Sequence, residues 1–374
     1  MQPVRGSSSG LSTAVLALLL GGAGYASAAA ADITVDVGGR VHVDAAVYDE
    51  DLTELGSGTE FRRARLLVQG NFDERWEYKA EYDFAESTAD LKDAFLQYNG
   101  LAAGKLKLGH FKQAFSLEEL TSSNYITFME RALPNVFVPS RRIGVGYENY
   151  TRPFGYAAGV FGNTVDDNDE DEGVGAAGRV VFAPALGEDQ LLHLGLAATF
   201  MEPETTDTGT DGIRIRQRPE SHVTGTRLVD TGTLDGASSL QSYGLEGAWN
   251  LGSLSLQGEY MLSSVDTDLG DFDFDGWYVF GSWFPGGQKR PYKDGAFGRV
   301  EATHAWEFAL RYSSLDLDDG TVAGGKEDDI TLGVNYYVNP HLRFMLNYVM
   351  ADVEGGINGD EEPDILQVRA AFDF

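Results

Sequence analysis

Cysteine is absent from the 374 residues. That excludes disulfides, thiolate metal sites and cysteine nucleophiles, and it suits a chain that crosses an oxidising compartment without cross-links. Long apolar runs are missing once the N-terminus is passed. No stretch of about 18 apolar residues occurs there, so no membrane-spanning helix is expected, and a mean hydropathy of -0.23 is too polar for a bundle of such helices. Positive charge is scarce: 28 Lys and Arg face 58 Asp and Glu, a net charge of -30. Bulk charge therefore excludes nucleic acid as a partner. Catalytic signatures are also lacking. There is no H-E-x-x-H, phosphate-binding loop, dinucleotide fingerprint or C-x-x-C, and the histidines at 42, 110, 193, 222, 304 and 341 are scattered. The run Asp271-x-Asp273-x-Asp275-Gly276 opens like a calcium loop, but its twelfth position is Ser282 rather than Glu. No catalytic residue, metal or cofactor is expected.

What is present begins with an address. Arg5 precedes the apolar run Ala14–Leu20, and Ala26-Ser27-Ala28 and Ala29-Ala30-Ala31 both fit a small-residue cleavage pattern. Residues 1–31 are expected to be a secretory signal peptide cut between 28 and 31, leaving 32–374 as a single domain. A G-x-S-x-G match at Gly6–Gly10 falls inside this leader and carries no hydrolase meaning.

The mature chain has a period of two. In Trp76-Glu77-Tyr78-Lys79-Ala80-Glu81-Tyr82-Asp83-Phe84 every second residue is apolar and every residue between is charged. A strand sends alternate side chains to opposite faces, so one face is greasy and the other ionic. The pattern recurs in Ile330–Val338, Leu342–Met350, Tyr243–Leu251 and Leu366–Phe374. About sixteen such segments, each roughly ten residues long, begin near 33, 61, 75, 90, 104, 141, 154, 175, 190, 241, 253, 275, 303, 329, 341 and 364. Short turns near 73, 100, 152, 185, 252 and 339 alternate with longer stretches at 49–60, 164–174, 202–240, 265–274, 285–302, 315–328 and 353–363. Aromatic residues near segment ends (Trp76, Tyr82, Tyr243, Trp249, Tyr348) suit a lipid interface. The prediction is an all-β protein: a transmembrane antiparallel β-barrel of about 16 strands in a bacterial outer membrane, facing lipid and lipopolysaccharide. The acidic tip Asp166–Glu172 is a solvated loop that could bridge divalent cations to lipopolysaccharide.

The few positive residues cluster. Arg40 lies mid-strand, Arg62-Arg63-x-Arg65 opens the second segment, and Arg141-Arg142 follow the third long connection. Arg214, Arg216 and Arg218 alternate, so extended backbone puts them on one face. A row of guanidiniums along a pore attracts anions and holds them by forked hydrogen bonds.

Several stretches resemble the phosphate-selective porin O and P family: Gly38-Gly39-Arg40, Phe61–Arg65, Gly109-His110-Phe111-Lys112, Leu117-Glu118 with Thr121-Ser122-Ser123, Met129-Glu130-Arg131, His193–Leu196, Leu245–Trp249 and the arginine run at 214–218. The resemblance implies a sixteen-stranded barrel, assembled as a homotrimer, whose third loop, about Gln113–Pro139, folds into the pore. It implies a constriction of Arg40, Arg62, Arg63, Lys112 and Arg131, an acidic wall residue at Asp93, and an arginine ladder at Arg214, Arg216 and Arg218. One position departs from the pattern. Phosphate-specific members carry a lysine after Leu-Glu in the inward loop, and here it is Glu119. Exchanging + for − at a narrow site changes phosphate binding by several kcal/mol at an effective dielectric near 20.

The expected function is a passive, water-filled channel that prefers small inorganic anions, phosphate or polyphosphate among them. A general or cation-leaning porin of the same architecture is the alternative, motivated by the net charge and Glu119. A barrel-type outer-membrane enzyme has no triad-like grouping to support it.

Overall fold

The alternation closes into one cylinder. The computed structural model describes residues 33–86, 88–162, 173–187, 189–203, 205–206, 209–210 and 212–374. The expected leader and the acidic tip 166–172 lie outside them. Sixteen long strands follow: β1 (Asp36–Asp49), β2 (Gly58–Phe72), β3 (Trp76–Asp83), β4 (Asp90–Leu101), β5 (Gly104–Phe111), β6 (Arg142–Thr151), β7 (Phe154–Phe161), β8 (Gly175–Phe182), β9 (Gln190–Met201), β10 (Ala237–Leu251), β11 (Leu254–Thr267), β12 (Gly270–Trp283), β13 (Ala305–Asp319), β14 (Val322–Asn339), β15 (Leu342–Gly356) and β16 (Asp364–Asp373). Each pairs antiparallel with its neighbours in the chain, and β16 returns to β1 from Asp49↔Asp364 to Arg40↔Asp373. Closure leaves no unpaired edge, the condition for a sheet to stand in hydrocarbon.

The rim that carries both chain ends has tight turns between β2 and β3, β4 and β5, β6 and β7, β10 and β11, and β14 and β15. Three stretches expected as long loops at the other rim, 265–274, 315–328 and 353–363, are instead hairpins, the last because β15 runs on to Gly356 and Gly359–Glu361 turns back to pair with it. β11 meets β12 through Asp268-Leu269, and β13 meets β14 through Gly320-Thr321. The period of two persists there with its faces exchanged. On β13 the outward residues run Trp306, Phe308, Leu310, all exposed, and end in Asp316 and Asp318. The inward residues run Glu307 and Arg311, then Leu315 and Leu317, all buried. Beyond the lipid belt the outside is water, so acids face out. The apolar residues turn inward beneath the connection 202–236, where Leu228 and Val229 join Val265, Phe274, Leu315, Leu317 and Val353 in one core.

The stretch 285–302, expected on the loop rim, lies at the other end. It connects β12 to β13 and so enters from the rim of the chain ends. Its apolar side chains cannot be left in water, and it folds into the lumen. Tyr292 hydroxyl lies 2.6 Å from His193 Nδ1, and Phe297 packs on Leu117 and Ala248. Arg179 secures this inward loop. It grips Glu246 with two nitrogens, at 2.8 and 2.6 Å, and donates to the Gly295 carbonyl at 2.9 Å.

Candidate functional site

The third loop, residues 112–141 between β5 and β6, lies inside the barrel as expected, and wall side chains clamp it along its length. Ser116 caps the short helix α1 (Leu117–Leu120), its hydroxyl accepting from Glu119 N–H. Glu259 on β11 receives three hydrogen bonds there: from Leu117 N–H at 2.9 Å, Glu118 N–H at 2.8 Å and the Ser116 hydroxyl at 3.2 Å. Farther along, Arg343 donates to the Ile126 carbonyl, Asn335 to the Thr127 carbonyl, and Met129 N–H donates to Asn347. Arg369 pairs with Asp44 and Glu130. Replacing Glu259 by alanine should orphan two buried N–H groups at the loop tip, at roughly 1–3 kcal/mol each. We expect frequent closures and raised open-channel noise in single-channel records, against a quiet wild type.

This loop, 212–236 and 284–304 pack against the wall of β9–β16, and open space lined by β1–β7 remains on the other side. At its middle is a cavity of about 210 Å³ lined by seven cations, Arg40, Arg63, Arg65, Lys79, Lys112, Arg131 and Arg141, and three carboxylates, Glu81, Asp93 and Glu119. A break in alternation builds part of it. Against β1, His42 pairs with Arg63 and Val43 with Phe61, so Arg62 is an inserted residue. Such a bulge re-aims neighbouring side chains, and Arg62 and Arg63 both point inward while Phe61 faces lipid. Arg62 turns to Glu130, holding it at 2.9 and 3.0 Å, and does not line the cavity.

Each carboxylate here is shared. Glu81 serves Arg40 at 3.4 Å, Arg65 at 3.0 Å and Lys79 at 3.0 Å. Asp93 bridges Lys79 and Arg141, each at 2.7 Å. Glu119 bridges Lys112 at 2.7 Å and Arg131 at 3.0 Å. Arg40 also donates to Ser122 and Ser123, at 3.2 and 3.0 Å. Arg63 is left over. It is 3% exposed, and its Nε and Nη1 find no acceptor among the described residues. A buried guanidinium with unused donors beside surplus positive charge is costly unless a hydrogen-bond acceptor meets it.

Glu119 is thus less a free negative charge than a shared counter-ion. Burial pushes its carboxyl up, but Arg131 and Lys112 together bring it down to about 2. Burial pushes the Lys112 ammonium down to about 7 against the pull of Glu119. Lys112 is therefore charged below that pH and neutral above it, so the cavity loses one positive charge as pH rises from 6 to 8.5. Zero-current potentials in a salt gradient should shift towards the cation side at pH 8.5, and Lys112→Gln should abolish most of that shift.

The arginine run behaves partly as its alternation predicts. Arg214 and Arg216 are exposed and Arg218 half-buried on one side of the strand, while Ile215 on the other is 6% exposed. Arg216 pairs in register with Asp230, and the Arg214 guanidinium grips the Asp230 carboxylate. The run belongs to the inward segment 212–236 and leads towards Arg62 and Glu130, whose charges Arg218 feels. Lys79, Arg65, Glu81, Arg141 and the serine pair were not foreseen as site residues. The ionic face of β3 carries Lys79 and Glu81, but only the β3–β4 register reveals that Asp93 is their neighbour.

A family profile described as phosphate-selective porin O and P matches residues 35–374. An uncharacterized protein of Caulobacter vibrioides is 31% identical over 366 residues, covering 90% of this chain and 73% of that protein. Porin O of Pseudomonas aeruginosa is 28% identical over 391 residues, covering 92% and 89%. Among solved structures, an anion-selective porin from Comamonas acidovorans superposes with a TM-score of 0.63 at 14% identity, covering 92% of this chain and all of that one. OmpT of Vibrio cholerae in its trimer form gives 0.60 at 14% identity, covering 91% and 99%. At such identities the two structures speak for the fold.

Proposed function

This chain belongs to the phosphate-selective porin O and P family of outer-membrane porins, and from that premise we propose that it is a passive channel that prefers anions, with inorganic phosphate and short polyphosphates as its solutes. The observation that carries the reading is the buried, half-unpartnered Arg63 guanidinium in a cavity with seven cations and three carboxylates. In a constricted lumen such fixed charge sets the sign of the ion admitted, because the field acts across a few ångströms of partly excluded water. Arg214, Arg216 and Arg218 would collect anions above it, and Arg40, Arg63, Lys112 and Arg131 would receive them. The anion selectivity of the Comamonas porin and the phosphate class in the family's name agree with this reading. The trimeric form of a structural neighbour agrees with assembly as a homotrimer. Residues 1–31 would be removed on export.

A second reading, a cation-leaning pore, draws on the loop rim. Asp49, Glu50, Asp51, Asp268, Asp271, Asp318, Asp352 and Glu354 are all exposed there. A charged rim raises counter-ion concentration outside, yet a Debye length of about 8 Å at physiological salt screens it from the constriction. Planar-bilayer conductance in chloride, titrated with phosphate, tests the proposal: concentration-dependent block of the chloride current is expected, and an unblocked current that follows potassium would favour the second reading.

A further inference from the structure

Below the basic cavity, towards the rim of the chain ends, lies a second one of about 250 Å³, which shares Lys79, Asp93 and Lys112 with the first. Its character is different. Phe95, Phe111 and Phe161 form its side, with ring centroids 6.4 Å apart at 79° and 5.4 Å apart at 62°. Its floor is glycine. A Cβ at Gly146 would stand 3.0 Å from the Phe111 ring, and one at Gly159 would stand 2.8 Å from the Phe161 ring. Side chains at these inward positions would displace the rings and fill the space. Lys107 Nζ hangs 4.9 Å over Phe95 and 5.4 Å over Phe111, with Glu148 at 3.6 Å.

An aromatic wall inside a wet channel needs an occupant or a cover. Elsewhere in this lumen apolar wall residues are covered by the inward loops. Here Phe111 and Phe161 are mostly covered, 7% and 4% exposed, while Phe95 is half-buried, and their uncovered edges border a cavity that shares Lys79, Asp93 and Lys112 with the basic one. An apolar cavity of roughly 150 Å³ already holds benzene, so this one has room for a six-membered ring and its substituent. The rings offer edge-to-face and stacking contacts, and the neighbouring cations hold a charged head.

We propose that this cavity is a subsite for organic anions in which a planar ring carries a phosphoryl or carboxyl group: the charged head engages the cations around Lys112 while the ring lies against Phe95, Phe111 and Phe161. The inference rests on the anion-preferring reading of the constriction. It extends the solutes of the channel from inorganic phosphate to aryl phosphates.

The test compares inorganic phosphate with phenyl phosphate as blockers of chloride current through the purified full-length channel. Phenyl phosphate is expected to half-block at a concentration about tenfold lower than phosphate, the size of one good ring contact. Phe95→Leu, which keeps the apolar packing but removes the aromatic face, should erase most of that advantage and leave the phosphate block unchanged. Phe95→Ala checks the same point with a larger truncation, and electrophoretic mobility of the unheated protein reports that each variant is folded. Equal block by the two compounds, with phosphate still effective, overturns the subsite and leaves the anion channel standing. No block by either, with a cation-side reversal potential, overturns both. An advantage for phenyl phosphate that survives both substitutions overturns the assignment to this wall.

Discussion

Replacing Arg63 by glutamine is expected to move the zero-current potential of the channel most of the way from the anion side to zero, and to raise the half-blocking phosphate concentration at least tenfold. Arg63 has the most donors to spare, two nitrogens without an acceptor among the described residues against one on Arg40. Arg40, Arg65, Lys79 and Arg141 are committed to Glu81, Asp83 and Asp93, and Lys112 and Arg131 to Glu119. A unit charge at 4 Å is worth about 4 kcal/mol at an effective dielectric near 20. Lumen water and salt reduce that figure, but a third of it is still a factor of ten. The barrel should tolerate the change, since the Arg63 Nε and Nη1 hold nothing in place. Arg62→Gln offers the contrast. Its partner Glu130 remains bound by Arg369, and Arg62 does not line the cavity, so the shift should be smaller. Equal effects from the two substitutions would show that the bulge does not distinguish them.

The second large effect runs the other way. Glu119→Lys should tighten phosphate block by tenfold or more. The substitution removes the carboxylate that now neutralises Lys112 and Arg131. Even if Lys112 and the introduced lysine share a single proton, the cavity gains at least one positive charge. Arg131 stays where it is, because it also donates to the carbonyls of Glu118, Glu119 and Thr121. Its freed face then points at the passage. An unchanged block would mean that ions do not pass Glu119 on their way through the lumen.

The barrel was legible because period two over ten residues has one physical meaning. Trp306-Glu307-Phe308 declares its two faces without any structure. Segment ends were less legible. Asp-Gly-rich stretches such as 315–328 carry the punctuation of loops, but what changes there is the medium outside the wall, and the strand runs on. The inward path of 284–304 was hidden for a related reason. Tyr292 and Phe297 are isolated among charged and glycine residues, and only their contacts with His193 and Leu117 show that they are buried in the lumen.

For the site, adjacent arginines at 62 and 63 are a signal in themselves. A regular strand cannot send both to one face, so either one faces lipid or the strand bulges, and the structure has the bulge. Of the residues the resemblance implied for the constriction, Arg40, Arg63, Asp93, Lys112, Glu119 and Arg131 line the cavity and Arg62 does not. It could not tell that Glu119 is already shared between two cations. It also gave no hint that Lys79 and Arg141 meet on Asp93, a contact across 14 residues in one direction and 48 in the other. The net charge of -30 says nothing of where the charges lie: acids crowd the loop rim, while seven cations and three carboxylates line the cavity.

The zero-current potential of the purified wild-type channel in a tenfold potassium chloride gradient measures the sign of the constriction directly. A potential near the chloride equilibrium value is predicted. A potential near the potassium value would contradict it.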